Sequence, residues 1–198
     1  MKNLLPLFLD LAGRDVLLVG GGRVAAAKLQ QLRTAGAAVR VVSPLVVAEI
    51  ATAGVPVVRR AFEPADLDGV WLVVAAATPD VNRQVAAAAE QRRIFVNAVD
   101  DPPNATAYLS GVVRRDDVTI AISTSGDAPA LTALMREALD AVLPNDLGGW
   151  MAAAREHRAR WRRDGVPMEQ RKPLLLKALN DIYTPSVPWL SGPEDSWL

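Results

Sequence analysis

The chain contains no cysteine and a single histidine among its 198 residues. The absence of cysteine excludes disulfides, thiolate catalysis, and zinc or iron–sulfur sites built on sulfur ligands. His157 has no cysteine and no second histidine as a partner, so we expect it on a helix face and not in a metal site. The sequence therefore predicts no bound metal. A chain without disulfides is compatible with a reducing compartment, and we expect a cytoplasmic location.

The chain also lacks an excess of charge of one sign and any long apolar run. Its 22 Lys and Arg residues balance 22 Asp and Glu residues, so we expect no attraction to nucleic acid or to an anionic membrane. The apolar part of Met1–Asp10 is too short for a secretory signal, and no later segment is long enough to cross a bilayer. We interpret Met1–Asp10 as an N-terminal strand or a docking segment. The 51% hydrophobic content predicts a globular protein with one large domain and an appendage.

A glycine-rich turn follows the first apolar segment, Val16–Val19. Gly20 permits a tight turn, Gly22 lets the backbone approach a pyrophosphate, and Ala25 lets a helix pack close to its strand, which gives the pattern G-x-G-x-x-A. The N-terminus of that helix would direct free N–H groups and a positive dipole end at the phosphates. A glycine-rich turn in another kind of α/β domain remains an alternative. The candidate phosphate-binding residues are Gly20, Gly21, Gly22, Arg23 and Val24.

Apolar segments alternate with helix-forming segments over the first hundred residues. Helices are predicted around Ala25–Leu32 and Asp80–Glu90. After the first strand, further strands are predicted at Ala38–Val42, Val55–Arg59, Gly69–Ala76 and Ile94–Val99. Near-continuous apolar strands that alternate with helices predict the α/β class and a Rossmann-like, doubly wound parallel sheet.

The pattern changes at Asp100–Asn104, where two prolines cannot continue a central strand. Tyr108–Arg114 and Val118–Ser123 are predicted to form a hairpin, followed by an amphipathic helix at Ala130–Val142. Because a two-stranded hairpin is marginally stable alone, we expect this part to pack on a second subunit. The sequence therefore predicts a homodimer.

Helical spacing continues in the last third of the chain. It is found beyond Pro144 and again at Met168–Ile182, whereas the tail from Thr184 has no periodicity and is expected to be loosely ordered. We predict three parts: an NAD-binding domain at 1–107, a small α+β dimerisation module at 108–144, and a C-terminal helical region at 145–198.

The end of the second predicted strand carries no carboxylate. In many NAD-binding folds an Asp or Glu at this place binds the adenine ribose, but this chain has Ser43 and Pro44. Ser43 offers a hydroxyl, and Arg40 or Arg59 could attract an additional phosphate, although each of these is more often an ordinary surface residue. The residues alone leave NAD and NADP both open.

Polar residues also follow the fifth strand and precede the helix at Ala130. The carboxyl ends of parallel strands open onto the ligand crevice, which makes Asp100 a candidate proton acceptor. Adjacent carboxylates before prolines are equally typical of turns, so a structural role for Asp100 and Asp101 stays open. The second group could cap the helix or bind an anionic ligand, and consists of Ser123, Thr124, Ser125 and Gly126.

Taken in order, these motifs resemble the siroheme synthase N-terminal family, which contains precorrin-2 dehydrogenases and sirohydrochlorin ferrochelatases. The resemblance covers nearly the whole chain, and the order of the motifs is more specific than a glycine motif alone. The motifs that carry it are Leu5–Leu9, Val19–Ala25 with Lys28, Ala76–Thr78 with Asn82, Asn97–Pro102, and Ile122–Leu131 with Arg136 and Glu137.

The resemblance implies NAD-dependent oxidation of precorrin-2 to sirohydrochlorin and, in some members, insertion of ferrous iron to give siroheme. Both steps remove protons, and Asp100 matches the catalytic aspartate of the family. Thr78 and Asn97 join Ser43, Pro44 and the glycine turn as cofactor-site candidates. Because the tetrapyrrole substrate is rich in carboxylates, local cations are expected to bind it together with the Ser123–Gly126 segment. Arg136 is the preferred candidate cation, and Arg114, Arg115 and Lys172 are further candidates.

Two departures from the family pattern affect the expected cofactor affinity or preference. Arg23 stands where many relatives have an acidic or another group, and the loop between Thr78 and Asn82 is shorter than usual. The chain ends where some relatives continue into a methyltransferase domain, so we expect no uroporphyrinogen methylation. The alternative function is a noncatalytic NAD-binding dimer that serves as a redox sensor or scaffold.

Overall fold

The computed structural model describes residues 4–183. The chain divides into two compact units, the first made of the residues up to Gly111 with Ile122–Leu134, and the second of Val112–Ala121 with the residues from Met135 onward. The tail from Thr184, predicted to be loosely ordered, lies outside the described residues. Across the described part of the chain, no helix has the length and apolar character needed to span a membrane.

The first unit is built on a five-stranded parallel sheet with the strand order β3-β2-β1-β4-β5. The strands are β1 (Asp15–Val19), β2 (Ala38–Val42), β3 (Val57–Val58), β4 (Leu72–Ala75) and β5 (Phe95–Ala98). The helices that connect them are α1 (Arg23–Thr34), α2 (Ala48–Ala51) and α3 (Pro79–Arg92). The predicted α/β fold is confirmed. The order reverses between β1 and β4, which is where such sheets open a ligand crevice.

The two central strands, β1 and β4, are buried on both faces. From Val16 to Val19 and from Leu72 to Ala75, no residue is more than 2% exposed. Alternate side chains share one core with α3 and the other core with α1. This double burial explains the near-continuous apolar sequence of both strands. It also fixes the carboxyl end of β1, from which the glycine turn leaves the sheet.

Both edges of the sheet are short or covered. On one side, β3 has only two residues, because Pro56 carries no N–H and the Arg60 N–H turns back to the carbonyl oxygen of Val58 at 3.1 Å. On the other side, the N–H groups of Thr106 and Ala107 donate to the carbonyl oxygen of Val96 in β5 at 2.9 and 2.8 Å. Of the strand predicted at Val55–Arg59, only Val57 and Val58 form a strand in the structure.

The structure of the N-terminal segment contradicts one of the two interpretations that its sequence allowed. Residues 4–10 form no strand, so the strand interpretation of Met1–Asp10 is wrong. The side chains of Leu5, Leu7 and Phe8 are exposed instead of packed in the sheet. An apolar run of this length carries no signal that separates a strand from an extended surface segment.

The second unit contains most of the hairpin and the C-terminal helices. The hairpin strands are β6 (Gly111–Arg115) and β7 (Val118–Ile122), and the helices are α4 (Pro129–Val142), which begins in the first unit, α5 (Leu147–Arg163) and α6 (Met168–Tyr183). Arg115 donates to the carbonyl oxygens of Asp140 and Leu143 at the C-terminal end of α4. The carboxylate of Asp116 accepts the Gly148 N–H at the start of α5, at 2.6 Å. The hairpin turn thus satisfies backbone groups that the helix ends leave open.

A buried carboxylate, Asp66, lies in the 3-10 helix Pro64–Leu67 of the first unit. Asp66 is 3% exposed. Arg60 donates to both of its carboxylate oxygens at 2.7 and 2.8 Å, and the Glu63 N–H donates at 2.9 Å. Arg40 of β2 donates to its carbonyl oxygen at 2.9 Å. The hydrogen bond from Arg60, more than any other contact, holds the pKa of Asp66 below its ordinary value.

We expect Asp66→Asn to lower the free energy of unfolding at neutral pH by about 2–4 kcal/mol, because the variant leaves the guanidinium groups without their charged partner. Since the pKa of Asp66 is lower in the folded state than in the unfolded chain, its stabilisation is complete above the unfolded pKa and is lost as pH falls through the folded one. Urea unfolding of both proteins at pH 7 and at about pH 3 measures this, and the difference should shrink in acid.

The matched control for this prediction is Asp68→Asn, which removes an exposed carboxylate that pairs with Arg92 at 2.9 Å. An exposed ion pair contributes little, so we expect a change below about 1 kcal/mol. An Asp66→Asn effect no larger than that of the control would contradict the role of Asp66.

Candidate cofactor and catalytic site

The glycine turn after β1 passes through a space that admits no side chain at its first two residues. Gly20 has a φ of 122°, and a Cβ atom added there would lie 2.2 Å from the carbonyl oxygen of Ala76. A Cβ atom added at Gly21 would lie 1.8 Å from the carbonyl oxygen of Leu45. The Gly20 N–H donates to Val42 at 3.0 Å, which ties the turn to β2. The turn is thus fixed at the point where the strand order reverses.

Gly22 differs from its neighbours because it faces open space. Within residues 4–183, a Cβ atom added there would meet no atom within 4 Å. Gly22 is the N-cap of α1, no side chain of the described residues caps this helix end, and its first turn contains no acidic residue. The first N–H groups of a helix have no acceptor within the helix, so those after Gly22 are available to an anion beside the turn. Both the open cradle and the donor set fit the diphosphate of a dinucleotide.

The segment after β2 borders the same turn. The Ser43 hydroxyl donates to the carbonyl oxygen of Leu45 at 2.7 Å, so its proton already has a partner. Pro44 and Leu45 are exposed beside it. The guanidinium of Arg40 is bound to Asp66, whereas Arg59 is exposed directly after β3. The cofactor roles of Ser43 and Pro44 stay predictions.

Asn82 of α3 joins the ends of β4 and β5. Its Oδ1 accepts the Ala77 N–H at 3.1 Å, and its Nδ2 donates to the carbonyl oxygen of Val99 at 3.5 Å. The side chain is buried, and the backbone N–H of Asn82 donates to Thr78, the N-cap of α3. Sequence reasoning used Asn82 only as part of a motif. The structure gives it a role in holding Thr78 and the Val99–Asp100 turn at one edge of the sheet.

Asn97 carries an unsatisfied buried acceptor. Its Nδ2 donates to the carbonyl oxygen of Ala107 at 3.0 Å, but its Oδ1 has no hydrogen-bond partner among the described residues. The residue is 6% exposed. It pairs in register with Val74, which belongs to the core shared with α1, so its side chain lies on the α1 face of the sheet. A buried acceptor of this kind is usually satisfied by a ligand or by water.

The two adjacent aspartates after β5 have different environments. The Asp101 carboxylate accepts from the Asn104 side chain at 2.9 and 3.0 Å and lies at the start of the 3-10 helix Pro102–Asn104. Asp100 is exposed and, within residues 4–183, its side chain forms no hydrogen bond. Its φ is 55°, a left-handed conformation that Asp and Asn tolerate better than most residues. The Asp101 carboxylate is therefore engaged, whereas the Asp100 carboxylate has no hydrogen-bond partner among the described residues.

Lys28 is a charged residue near this place that sequence reasoning did not treat as functional. It lies on α1 and is half-buried. Burial lowers the pKa of Lys28, and the nearby charge of Asp100 raises it again in part. No sequence signal links these two residues, which are 72 positions apart in the chain.

The Ser123–Gly126 segment forms local hydrogen bonds ahead of α4 and lies beside the chain that follows Asp101. The Thr124 hydroxyl accepts the Ala128 N–H at 3.2 Å, and Ser123 Oγ accepts the Ser125 N–H at 3.1 Å. A Cβ atom added at Gly126 would lie 3.2 Å from Pro102. The segment thus lies against the chain that follows Asp101. Substrate binding by Ser123, Thr124, Ser125 and Gly126 stays a prediction.

Two of the predicted substrate cations of the second unit, Arg115 and Arg136, have partners of their own. Arg136 is half-exposed and lies 3.3 Å from the Glu137 carboxylate. Arg115 is held at the end of α4 by the contacts described above. His157 packs on Trp161 with ring centroids 5.3 Å apart. In the part of the chain from 4 to 183, no three His, Cys, Asp or Glu side chains are grouped as metal ligands.

Comparison with protein families agrees with this arrangement. A family model for NAD(P)-binding matches residues 7–111, which contain the sheet and the glycine turn. The chain belongs to this NAD(P)-binding family. A second model, described as the sirohaem biosynthesis protein central region, matches residues 115–141. The two matches follow each other in the order expected for the siroheme synthase N-terminal family, and the resemblance seen in the sequence is confirmed.

Known proteins with similar chains carry names from the same pathway. The chain is 42% identical over 185 residues to a siroheme synthase of Sodalis glossinidius, which covers 90% of this chain and 39% of that protein. It is 43% identical over 173 residues to siroheme synthase 1 of Aeromonas salmonicida, at 85% and 37% coverage. The chain thus spans about two-fifths of the length of these curated relatives. The solved structure of SirC, a precorrin-2 dehydrogenase, is 28% identical with a TM-score of 0.66, and the match covers 91% of this chain and 92% of that one.

Proposed function

We propose that the protein is a precorrin-2 dehydrogenase, which uses NAD to oxidise precorrin-2 to sirohydrochlorin. The observation that carries this proposal is the juxtaposition at one sheet edge of an uncapped helix N-terminus, behind the Gly20–Gly22 turn, with the hydrogen-bond-free carboxylate of Asp100. Similarity to SirC along more than nine-tenths of both chains supports the substrate. The NAD(P)-binding family match supports the cofactor.

The residues around the turn would hold NAD by its diphosphate and amide groups. The N–H groups that follow Gly22 would bind the diphosphate, and the unsatisfied Oδ1 of Asn97 offers an acceptor to an amide donor. When bound, NAD supplies a hydride acceptor. Thr78, Ser43 and Pro44 border the same edge and are proposed as further cofactor contacts. The exposed Arg23 at the start of α1 places a cation beside the proposed phosphate site.

The reaction removes a hydride and a proton from the macrocycle, so the protein must supply a base. The Asp100 carboxylate would accept that proton, and no covalent nucleophile is required. A noncatalytic sensor or scaffold would not need a carboxylate held free of hydrogen bonds at the crevice. No observation on the described residues favours that alternative.

Ferrous iron insertion is a second activity that the same carboxylate could serve. Metal insertion displaces two pyrrole protons, and an aspartate can accept them one at a time and release each to water, without a cage of metal ligands. The siroheme synthase names of the relatives support iron as a second substrate.

We also propose a cytoplasmic homodimer that forms through residues 108–144. The support is α4, which has no buried residue in the described chain and exposes four large apolar side chains, Leu131, Leu134, Met135 and Val142. Such a face is typical of a surface that packs on a second subunit. Sedimentation that finds only monomer at micromolar concentration would contradict the dimer.

The function is tested by incubating the purified protein with precorrin-2 and NAD without oxygen, and then adding ferrous iron. We expect NADH formation matched by the absorption change of the macrocycle to sirohydrochlorin. A further absorption change after iron addition would add the second activity. NAD binding without any turnover would refute the dehydrogenase and support the noncatalytic alternative.

A further inference from the structure

The segment that follows β2 carries no negatively charged side chain. From Ser43 to Ala48 the chain contains no Asp or Glu, and the Ser43 hydroxyl donates to the carbonyl oxygen of Leu45 at 2.7 Å. In many folds of this kind, a carboxylate at the end of the second strand binds the 2′-hydroxyl of the adenine ribose and repels a phosphate at the same position. The group that would exclude a 2′-phosphate is therefore missing from the place where it acts.

This segment lies against the glycine turn. The Val47 N–H donates to the carbonyl oxygen of Gly21 at 2.8 Å, and a Cβ atom added at Gly21 would lie 2.8 Å from Ser43 Oγ. In a dinucleotide, the adenine ribose is joined to the diphosphate through a single methylene group. A diphosphate bound at Gly22 would therefore keep the ribose close to the Ser43–Val47 segment.

The same segment offers unpaired hydrogen-bond donors. The backbone N–H groups of Leu45 and Val46 form no hydrogen bond within residues 4–183. Both residues follow Pro44, in a stretch that belongs to no helix or strand. Consecutive free N–H groups can bind an anion such as a phosphate group. The segment thus presents donors, and no negative charge, to a ligand at this edge of the sheet.

Two exposed arginines lie near this segment. Arg59 directly follows β3, and the Ser43 N–H donates to the carbonyl oxygen of Val58 at 3.1 Å, so Arg59 and Ser43 are neighbours at the sheet edge. Arg23 is the first residue of α1, two positions after Gly21. Neither arginine side chain forms a hydrogen bond or an ion pair in the part of the chain that the structure describes. Both guanidinium groups are therefore available to an anionic ligand.

Arg40 and Arg60 are not available in the same way, because both are bound to the buried Asp66. Arg40 donates to the Asp66 carbonyl oxygen at 2.9 Å, and Arg60 donates to both carboxylate oxygens. The sequence alone offered Arg40 and Arg59 together as cations for an additional phosphate. The structure separates the two candidates and leaves Arg59.

We propose that this edge binds a phosphate group on the 2′-position of the adenine ribose, so that NADP binds at least as tightly as NAD. Arg59 pairs with the 2′-phosphate, and Arg23 adds a second positive charge from the start of α1. The NAD(P)-binding family match is compatible with both cofactors. The inference rests on the diphosphate placement of the proposed function, but it concerns binding and requires no turnover.

Calorimetric titration of the purified protein with NAD and with NADP tests the inference. At low ionic strength, we expect the Kd for NADP to be equal to or below the Kd for NAD. Added salt should weaken NADP binding more than NAD binding, because it screens the attraction between the arginines and the additional phosphate. A higher Kd for NADP than for NAD at low salt would overturn the inference.

The role of Arg59 is tested in Arg59→Met, with Arg33→Met as the matched control. Arg33 is an exposed arginine in the last turn of α1, at the far end of the helix from the glycine turn. We expect Arg59→Met to raise the Kd for NADP about 5- to 20-fold and to leave the Kd for NAD within about twofold, since only NADP carries the 2′-phosphate. The control should leave both values unchanged, and urea unfolding checks that each variant is folded. An equal effect of Arg59→Met on the two cofactors would overturn its assignment to the 2′-phosphate.

Three outcomes separate this inference from the proposed function. If the protein binds NAD but not NADP, the inference fails and the proposed dehydrogenase is unaffected. If both cofactors bind as expected but precorrin-2 is not oxidised with either, the inference is supported and the dehydrogenase fails. If neither cofactor binds, the placement of the diphosphate is wrong, and the inference is overturned together with the proposed function.

Discussion

Asp100→Asn is expected to lower kcat for precorrin-2 oxidation by about 10²- to 10⁴-fold, the usual contribution of a positioned general base. The Asn amide cannot accept the proton that leaves the macrocycle. The Kd for NAD should stay within about twofold, because the proposed diphosphate contacts come from the N-terminus of α1 and not from the Asp100 turn. Single-turnover absorbance measurements give the rate, and calorimetry gives the Kd.

Asn is the informative replacement at this position for a structural reason. Asp100 has a φ of 55°, and Asn is among the few residues that adopt this region readily, so the turn should be kept. The control is Asp101→Asn, which changes the neighbouring carboxylate that accepts from Asn104. We expect the control to retain turnover within a few-fold. Equal rates for Asp100→Asn and wild type would remove Asp100 from the mechanism.

Gly22→Asp is expected to weaken NAD binding at least about 100-fold, or ~2.7 kcal/mol. The new carboxylate would occupy the open space beside the first N–H groups of α1 and would repel the diphosphate. Folding should not suffer, because a Cβ atom at this position meets nothing within 4 Å and Asp is a favoured N-cap residue. A binding defect with an unchanged or higher Tm would therefore locate the phosphate site.

The control for Gly22→Asp is Gly22→Ser, which introduces a neutral N-cap of similar size. We expect a smaller loss of affinity from Ser, because the side chain adds bulk without the like charge. Calorimetric titration with NAD compares the three proteins. Wild-type affinity in Gly22→Asp would contradict the placement of the diphosphate at this helix end.

The central sheet was predictable from the sequence because its signals are local. β1 and β4 are buried on both faces, and such strands have near-continuous apolar sequences that stand out without tertiary information. The glycine turn was equally visible as a sequence motif. Glycine is required at positions 20 and 21 because any side chain there would collide with backbone atoms. Asp100 could be predicted as a site residue because it follows the carboxyl end of a strand, and the ligand crevice of a parallel sheet opens at those ends.

The features that sequence reasoning missed depend on distant contacts. The hydrogen bonds of Asn82, for example, join the ends of two strands that are far apart in the sequence. The helix α2 spans only four residues, which is too short to show a periodic pattern. Arg115 was a candidate for substrate binding, but its guanidinium is engaged by α4 through residues about 25 positions away in sequence.

The closed margins of the parallel sheet limit how copies of this protein can associate. One margin offers only Val57 and Val58 before the backbone turns away, and the other is already hydrogen-bonded by Thr106 and Ala107. An incoming chain would find no row of unpaired amides on which to add a strand. Self-association of this unit must therefore proceed through side-chain surfaces, and growth into fibrils by strand addition is disfavoured as long as the unit stays folded.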